Sequence, residues 1–512
     1  MLQIEHLFIT HLQDLRPILA DFSLVLQDGE KAALIGEEGN GKSTLLKLLF
    51  DEALVENYVE WSGEIRRNQC RLGYLPQELP AACRRLSVSA FWAQGPGLGR
   101  GEELTRTLGL TPGLLESGRP MESLSGGERV KVQLARLLAE EPDVLLLDEP
   151  SNDLDLETLE WLEAFLCRCP RSVLYVSHDE TLIQRTADVL IHLELLRRKS
   201  APRATVVRMP YDEYIKARQA KFRHQTQVAR QEQAEFQRKL ERYRQIRNKV
   251  DRQQATITRQ DPHGGRLLKK KMHAVQAMGR RFEREKAQLT QLPELEEAIF
   301  LRFPEEIQMP RGKTVLSYRQ EALEAGGRVL ARNLSLEVVG PEKIGFIGQN
   351  GAGKSTLLRS IFRSLQGRTD LRAAYMPQDY KELLDPAATP VAFLNRSGSR
   401  EEETRVRSFL GSARYTTQEM THAIAELSGG QKAKLLLLNM ILQGANVLVL
   451  DEPTRNFSPL SGPVVRSLLS AYGGAILSVS HDRLYLEQVC QRVYALTETG
   501  LVRVWDRERP EP

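Results

Sequence analysis

Gly36-Glu37-Glu38-Gly39-Asn40-Gly41-Lys42-Ser43-Thr44 returns later in the chain as Gly348-Gln349-Asn350-Gly351-Ala352-Gly353-Lys354-Ser355-Thr356. Each copy follows a short apolar strand, Lys31-Ala32-Ala33-Leu34-Ile35 in the first case. Ser43 to Phe50 then carries leucines at helical spacing. A strand, then G-x-x-x-x-G-K-S, then a helix is the pattern of a nucleotide-phosphate loop. Its glycines let backbone N–H groups converge on phosphate oxygens, and the helix N-terminus adds a favourable dipole. Lys42 and Lys354 are expected to reach the β- and γ-phosphates, and Ser43 and Ser355 to ligate Mg²⁺. All nine residues of each copy are candidate nucleotide contacts.

Outward from these loops the repetition continues in the same order. Tyr74-Leu75-Pro76-Gln77 returns as Tyr375-Met376-Pro377-Gln378, and Leu124-Ser125-Gly126-Gly127-Glu128 as Leu427-Ser428-Gly429-Gly430-Gln431. Leu147-Asp148-Glu149-Pro150 returns as Leu450-Asp451-Glu452-Pro453, and Ser177-His178-Asp179 as Ser480-His481-Asp482. The offsets run 312, 301, 303, 303 and 303, because the first half has 11 extra residues between its first two motifs. A repeat this long implies two homologous domains and not a solenoid. Val144-Leu145-Leu146-Leu147 and Ser172-Val173-Leu174-Tyr175-Val176 read as strands buried on both faces, which suits an α/β domain with a covered parallel sheet.

The motifs suggest chemistry. Asp148 and Asp451 end buried strands, where a carboxylate can hold the Mg²⁺ shell. Glu149 and Glu452 follow and can orient or deprotonate an attacking water. Gln77 and Gln378 can bridge the metal and that water, and His178 and His481 can contact the γ-phosphate. Ser125-Gly126-Gly127 and Ser428-Gly429-Gly430 each start a helix with a hydroxyl and free N–H groups, a second anion cradle.

Between the halves the composition changes. Residues 214–290 hold 21 Lys and Arg against 7 Asp and Glu, a net +14, while the whole chain is only +4. Val228, Phe236, Leu240, Tyr243, Ile246 and Val250 predict one long helix with a thin apolar stripe. A second helix is predicted from about Leu267 to Leu289 with Met272, Val275, Met278 and Phe282. The Pro- and Gly-containing break between them is the natural tip. At roughly 1.5 Å per residue the first helix would extend on the order of 60 Å. Arg242, Arg244, Arg247, Lys249, Arg252, Arg259 and Arg266, with Lys269, Lys270 and Lys271 opposite, suit a phosphate-lined groove in which RNA is read by shape and backbone.

Composition removes other classes. With 512 residues, 41% hydrophobic and 27% charged, cores can form, and about three domains are expected at roughly 150 residues each. Met1-Leu2-Gln3-Ile4-Glu5-His6 has no basic run leading into an apolar stretch, so no secretory signal is expected. The greasiest segment, residues 435–450, is interrupted by Asn439, Gln443, Gly444 and Asn446 and falls short of the roughly 20 residues of a membrane helix. A cytoplasmic location without a membrane span is the expectation. Cys70, Cys83, Cys167, Cys169 and Cys490 lack paired zinc spacing and read as idle thiols.

All five motifs, in this order, resemble the ATP-binding cassette (ABC) ATPases. In that family the signature of one cassette closes on ATP held by the other. The resemblance therefore implies a monomer with intramolecular cassette pairing and two composite sites, Lys42 with Ser428 and Lys354 with Ser125. ATP and Mg²⁺ are the implied cofactors. Glu149 and Glu452 are both present, implying hydrolysis at both sites. One departure is Thr454-Arg455-Asn456-Phe457-Ser458, which lacks the Leu-Asp of Ser151-Asn152-Asp153-Leu154-Asp155, so the two rates are expected to differ. His11 sits about where an adenine-stacking aromatic is usual, with no identified counterpart in the second half.

Two fused cassettes joined by a charged helical hairpin are similar to the ABC-F family. The implied fold class is α/β: two ABC-type P-loop ATPase domains, residues 1–210 and 296–512, joined by a long antiparallel α-helical hairpin, residues 211–295, with its tip near 256–266. The resemblance implies the ribosome as partner, with the hairpin in the exit (E) site, against large-subunit rRNA and P-site tRNA, pointing towards the peptidyl-transferase centre. The interval from Gln77 to Ser125 is 48 residues, against 50 from Gln378 to Ser428, so the arm of some housekeeping members is not expected. Nor is a C-terminal coiled coil, with Pro512 soon after the last strand. The compact form is similar to the antibiotic-resistance branch, which dislodges drugs from the ribosome. The alternatives are a housekeeping ABC-F translation factor that resolves stalled ribosomes, the ATPase part of a membrane transporter, and a DNA-binding ATPase.

Overall fold

Val144–Asp148 is buried at every position because parallel strands flank it on both sides. The first sheet runs in the order Leu72–Leu75, Val144–Asp148, Ser172–Val176, Lys31–Ile35, Val189–Leu195, Ala201–Val207. All neighbours are parallel except the last pair. The second half repeats it as Ala373–Met376, Val447–Asp451, Ala475–Val479, Lys343–Ile347, Arg492–Thr497, Gly500–Asp506. The structure, a computed structural model, describes residues 1–95, 101–196, 201–256, 262–290, 303–304 and 306–506. The chain divides into two units, Met1–Tyr211 with Glu296–Pro512, and Asp212–Leu295.

Parallel pairing carries the chemistry-bearing residues to one edge of each sheet, since all four motif strands end there. Asp148 lies level with Val176, and Asp451 with Val479. The packing beneath is apolar: Leu34, Leu45, Leu146 and Leu174 belong to one fully buried cluster. Truncating such a leucine to alanine costs about 2–5 kcal/mol. Antiparallel strands Pro17–Leu26, Leu2–His11 and Val59–Arg66 form a separate sheet in the first cassette. Thr314–Ala325 and Arg328–Val339 form the corresponding pair in the second.

Within the same unit, the two cassettes are tied by buried charge. Arg466 Nη1 and Nη2 donate to Glu180 Oε1 and Oε2 at 2.7 and 3.2 Å, with the side chains only 4% and 11% exposed. Arg483 of the second cassette donates to Glu163 of the first and lies 3.7 Å from Asp179. Such fork geometry fixes orientation as well as distance.

The second unit is helical. Tyr211–Thr256 and Pro262–Gln288 are helices of 46 and 27 residues, the first about 70 Å long at 1.5 Å per residue. Phe282 stands edge-on to Phe236 and Tyr243, with centroids 6.0 and 5.3 Å apart. Ala229, Phe236 and Val250 are buried, with Val275 opposite. The positions 229, 236, 243 and 250 recur every seven residues, the seam of two packed helices. Ile246 and Met278, expected in the stripe, fall beside this seam and are 45% and 39% exposed. The second helix also starts at Pro262 and not near Leu267, because proline fits a first helical position, where its missing N–H is no loss. The expected tip includes residues 257–261, which lie outside the described residues. Among the described residues no helix is long and apolar enough to cross a membrane.

Arg466→Ala leaves Glu180 buried without its cation, a change that costs about 3–5 kcal/mol. Denaturant unfolding of the full chain should show that loss, and Arg466→Met with Glu180→Leu should recover most of it. Equal stability of Arg466→Ala and the native chain would mean the pair does not tie the cassettes.

Candidate active site

The phosphate loops have the same backbone in both halves. Gly41 and Gly353 cap their helices in the left-handed region, at φ +83° and +96°, with no side-chain cap on the helix start. The uncapped N–H groups are what an anion needs. A side chain at Gly41 would collide with Ile18, and one at Gly353 would come within 2.8 Å of Leu330. Lys42 Nζ donates to the carbonyls of Gly36 and Glu37 at 2.8 and 3.0 Å. Lys354 Nζ does the same to Gly348 and Gln349 at 2.8 and 2.9 Å. Each ammonium is thus held within its own loop. Burial pushes both lysines below their ordinary range, against the pull of nearby carboxylates.

The acidic pairs sit where the strands end. Ser43 donates to Asp148 at 2.9 Å, and Tyr74 OH donates to the same carboxylate at 3.2 Å. Glu149 and Glu452 hold φ +50° and +52°, a region that costs a non-glycine residue on the order of 1–3 kcal/mol. Their N–H groups donate to Val176 and Val479 on the neighbouring strands, which anchors the strained turns.

Around the two glutamates the halves differ. Glu149 receives Gln77 Nε2 at 3.1 Å and the Asn152 amide, and it lies 3.0 Å from His178 Nε2. Burial opposes its charge, but His178, Lys42 and Asn152 outweigh that and hold the carboxyl at about 2. Among the described residues, the Glu452 carboxylate accepts from the His481 N–H at 3.3 Å and lies 3.7 Å from His481 Nε2. Burial and Asp451 raise its carboxyl to about 8, and burial with Lys354 lowers His481 to about 4. Among the described residues, Oε1 of Glu452 and Nδ1 of His481 are buried without a hydrogen-bond partner, and burial raises the Asp451 carboxyl against the pull of Ser355.

The signature serines are capping boxes. Ser125 Oγ accepts from Glu128 N at 3.2 Å and Ser428 Oγ from Gln431 N at 3.3 Å. The carboxylate of Glu128 and the amide oxygen of Gln431 accept from the serine N–H groups in return. Each signature motif lies beside the opposite phosphate loop. One cavity, about 630 Å³, is lined by Gly126, Arg129 and Asp153 of the first half and by Asn350, Gly351, Gly353, Lys354, Ser355, Thr356, Gln378, Asp451, Glu452 and His481 of the second. Asn350 Nδ2 donates across it to the Asp153 carbonyl at 2.6 Å. A second cavity, about 340 Å³, holds Glu38, Gly39, Gly41, Lys42, Ser43, Thr44, Gln77, Glu149 and His178 with Arg455 and Asn456. Glu37, Glu38 and Ser428 line a third hollow.

Some expected contacts point elsewhere. The Asn40 side chain is buried and donates to the Leu193 carbonyl at 2.9 Å. Gly36 closes against that same carbonyl, which a side chain there would strike. Gly127 packs against Thr158. His11 lines the cavity of Lys42, its ring 6.5 Å from Tyr58, while Ala325 and Leu330 line that of Lys354. Tyr58, in the turn before a strand, carries no motif that could have revealed it. Arg455 was visible only as a departure from pattern; it pairs with Asp153 at 2.6 Å and lines both larger cavities.

A profile of the ABC transporter family matches residues 19–152 and 331–455. ATP-binding protein Uup of Escherichia coli K12 is 30% identical over 95% of this chain and 79% of its own length. The probable ATP-binding protein YheS of the same organism is 27% identical over 94% and 76%. ATP-binding cassette sub-family F member 3 of Rattus norvegicus is 26% identical over 96% and 70%. The chain belongs to the ABC-F family of ATPases. The profile matches once in each half of the chain. The fold is also that of an archaeal ribosome recycling factor, aABCE1, solved with the stalk protein aP1. That likeness has a TM-score of 0.59 at 18% identity and covers 98% of this chain and 90% of the other.

Gly126→Ala is a sharp test of the cavity at Lys354. A side chain there would strike the Asp153 carbonyl, the group that receives Asn350. ATP affinity at the Lys354 site should fall by about tenfold or more in calorimetry on the full chain. Unchanged affinity would separate that signature from that site.

Proposed function

We propose that this ABC-F ATPase binds ATP at two composite sites between its cassettes and uses the cycle to engage the ribosome. Lys42 acts with Ser428, Gly429 and Gly430, and Lys354 with Ser125, Gly126 and Gly127. Glu149 and Glu452 orient the attacking water, and His178 and His481 face the γ-phosphate. Mg²⁺ fits the donor sets Ser43, Gln77, Asp148 and Ser355, Gln378, Asp451, which are hard oxygen ligands. The buried carboxylate of Asp451, at its strand end beside Ser355, supports that fit. When bound, Mg²⁺ supplies charge neutralisation on the β- and γ-phosphates.

The observation that carries the ribosomal reading is the helical unit. Arg242, Arg244, Arg247, Lys249, Arg252, Lys269, Lys270 and Lys271 are all exposed within the +14 segment. Arg259 lies outside the described residues, as does the side chain of Arg266. A pair of cationic helices suits large-subunit rRNA in the E site, beside P-site tRNA, where phosphate contacts dominate affinity. The finer reading is that its distal end, near residues 256–266, dislodges antibiotics at the peptidyl-transferase centre. That reading rests on the short Gln77–Ser125 interval of 48 residues.

Replacing Glu149 and Glu452 together by Gln should preserve ATP binding and trap a form that co-sediments with ribosomes in ATP. It should dissociate as salt rises, since phosphate contacts release counterions. A double variant that sediments free of ribosomes, or binds them equally at high salt, contradicts the proposal. Expression in a drug-sensitive host against a panel of peptidyl-transferase inhibitors decides the finer reading: raised resistance supports drug displacement, and unchanged sensitivity leaves a translation factor for stalled ribosomes.

A further inference from the structure

The two phosphate loops differ in charge at two places. Glu37 and Glu38 of the first stand where the second has Gln349 and Asn350. Both acids are committed across the cassette boundary. Glu38 Oε2 accepts the Gly430 N–H at 2.9 Å. A side chain on Gly429 would meet the same oxygen at 3.0 Å, so the carboxylate fills the space over the signature glycines. Glu37 Oε1 accepts from Ser458 Oγ at 2.6 Å and also from Ser461 Oγ. Burial opposes the charge on Glu37, but Lys434 and the two hydroxyls outweigh it and hold the carboxyl below its ordinary range. Lys434 is itself buried on the signature helix.

The other site lacks this arrangement. Asn350 reaches a carbonyl, that of Asp153. Lys131, the counterpart of Lys434, lies over the Trp161 ring at 4.6 Å. Among the described residues, Glu452 Oε1 and His481 Nδ1 of the Lys354 site are buried without a hydrogen-bond partner, whereas Glu149 at the first site is bound by Gln77, Asn152 and His178.

We propose that Glu37 and Glu38 set the two ATP sites apart: Glu38 holds the Gly429–Gly430 cradle in the position a γ-phosphate would take, and Glu37 locks that loop to Ser458 and Ser461. The first site takes nucleotide only when this carboxylate latch opens. The Lys354 site is the high-affinity one. Two carboxylates close to a triphosphate repel it; Glu38 must leave the Gly430 N–H, and Glu37, whose burial Lys434, Ser458 and Ser461 compensate, must leave its two hydroxyls. The inference rests on the composite-site reading above and adds which site fills first and which residues decide it.

The test is calorimetric titration of the native full chain with a non-hydrolysable ATP analogue and Mg²⁺. About one tight equivalent is expected, lost in Lys354→Ala and kept in Lys42→Ala. Glu37→Gln with Glu38→Asn should add a second tight equivalent, strengthened by about tenfold or more, which Lys42→Ala then removes. Glu38→Asn alone leaves Glu37 on its serines and should give part of that gain in a fold-neutral setting. Grafting the acids onto the other loop, Gln349→Glu with Asn350→Glu, should weaken the native tight site. Two equal equivalents in the native chain, with Glu37→Gln/Glu38→Asn within twofold of it, overturn the latch. No nucleotide binding by any of these chains overturns the composite-site reading and the latch with it.

Discussion

Charge buried between the two cassettes has to be paired, and the cassette arrangement follows from that constraint. Arg466 with Glu180, Arg483 with Glu163, Arg455 with Asp153 and Glu38 on the Gly430 N–H all cross from one half to the other. Arg466, Glu180 and Glu163, at 4%, 11% and 7% exposure, could not stay ionised in the boundary without their partners, since an isolated buried ion costs several kcal/mol. The Glu38–Gly430 contact sets a phosphate loop against a signature helix, and the other pairs join the helices and turns around it. The hydrophobic cores make each cassette fold; the paired charges hold the two folded cassettes together.

The symmetry of the repeat is broken inside that arrangement. At the first site the acids are satisfied by protein groups, and the catalytic-position carboxyl is held strongly acidic by His178 and its neighbours. At the second, Glu452 sits in a larger cavity and burial with Asp451 pushes its carboxyl upward, while burial raises the strand-end aspartates Asp148 and Asp451 alike. One fold thus offers two electrostatic environments, a common way to assign different tasks to identical motifs.

Much of this was legible in the sequence because backbone geometry restricts residue type. The glycines through Gly41 and Gly353 marked phosphate loops, Ser125-Gly126-Gly127 marked a helix start, and four consecutive apolar residues before Asp148 marked a covered strand. Residues whose role depends on distant partners were not legible. Glu180 and Arg466 are 286 positions apart, and nothing local to either marks the pair. Glu37 and Glu38 occupy positions where the loop pattern accepts any residue, so their reach across the boundary appears only in three dimensions. In the helical unit the apolar periodicity marked both helices, yet it overcounted the seam at Ile246 and Met278. Two helices share a single face, and residues beside that face are wetted.

We propose unequal composite sites, with the Lys354–Gly126 pair receiving ATP first. An experimental structure of the full chain at limiting ATP analogue with Mg²⁺ measures this most directly. The account predicts nucleotide density between Lys354 and the Gly126 signature, with the Glu38 carboxylate still on the Gly430 N–H. Density at Lys42 alone, or equal density at both loops with Glu38 still in that position, would contradict it.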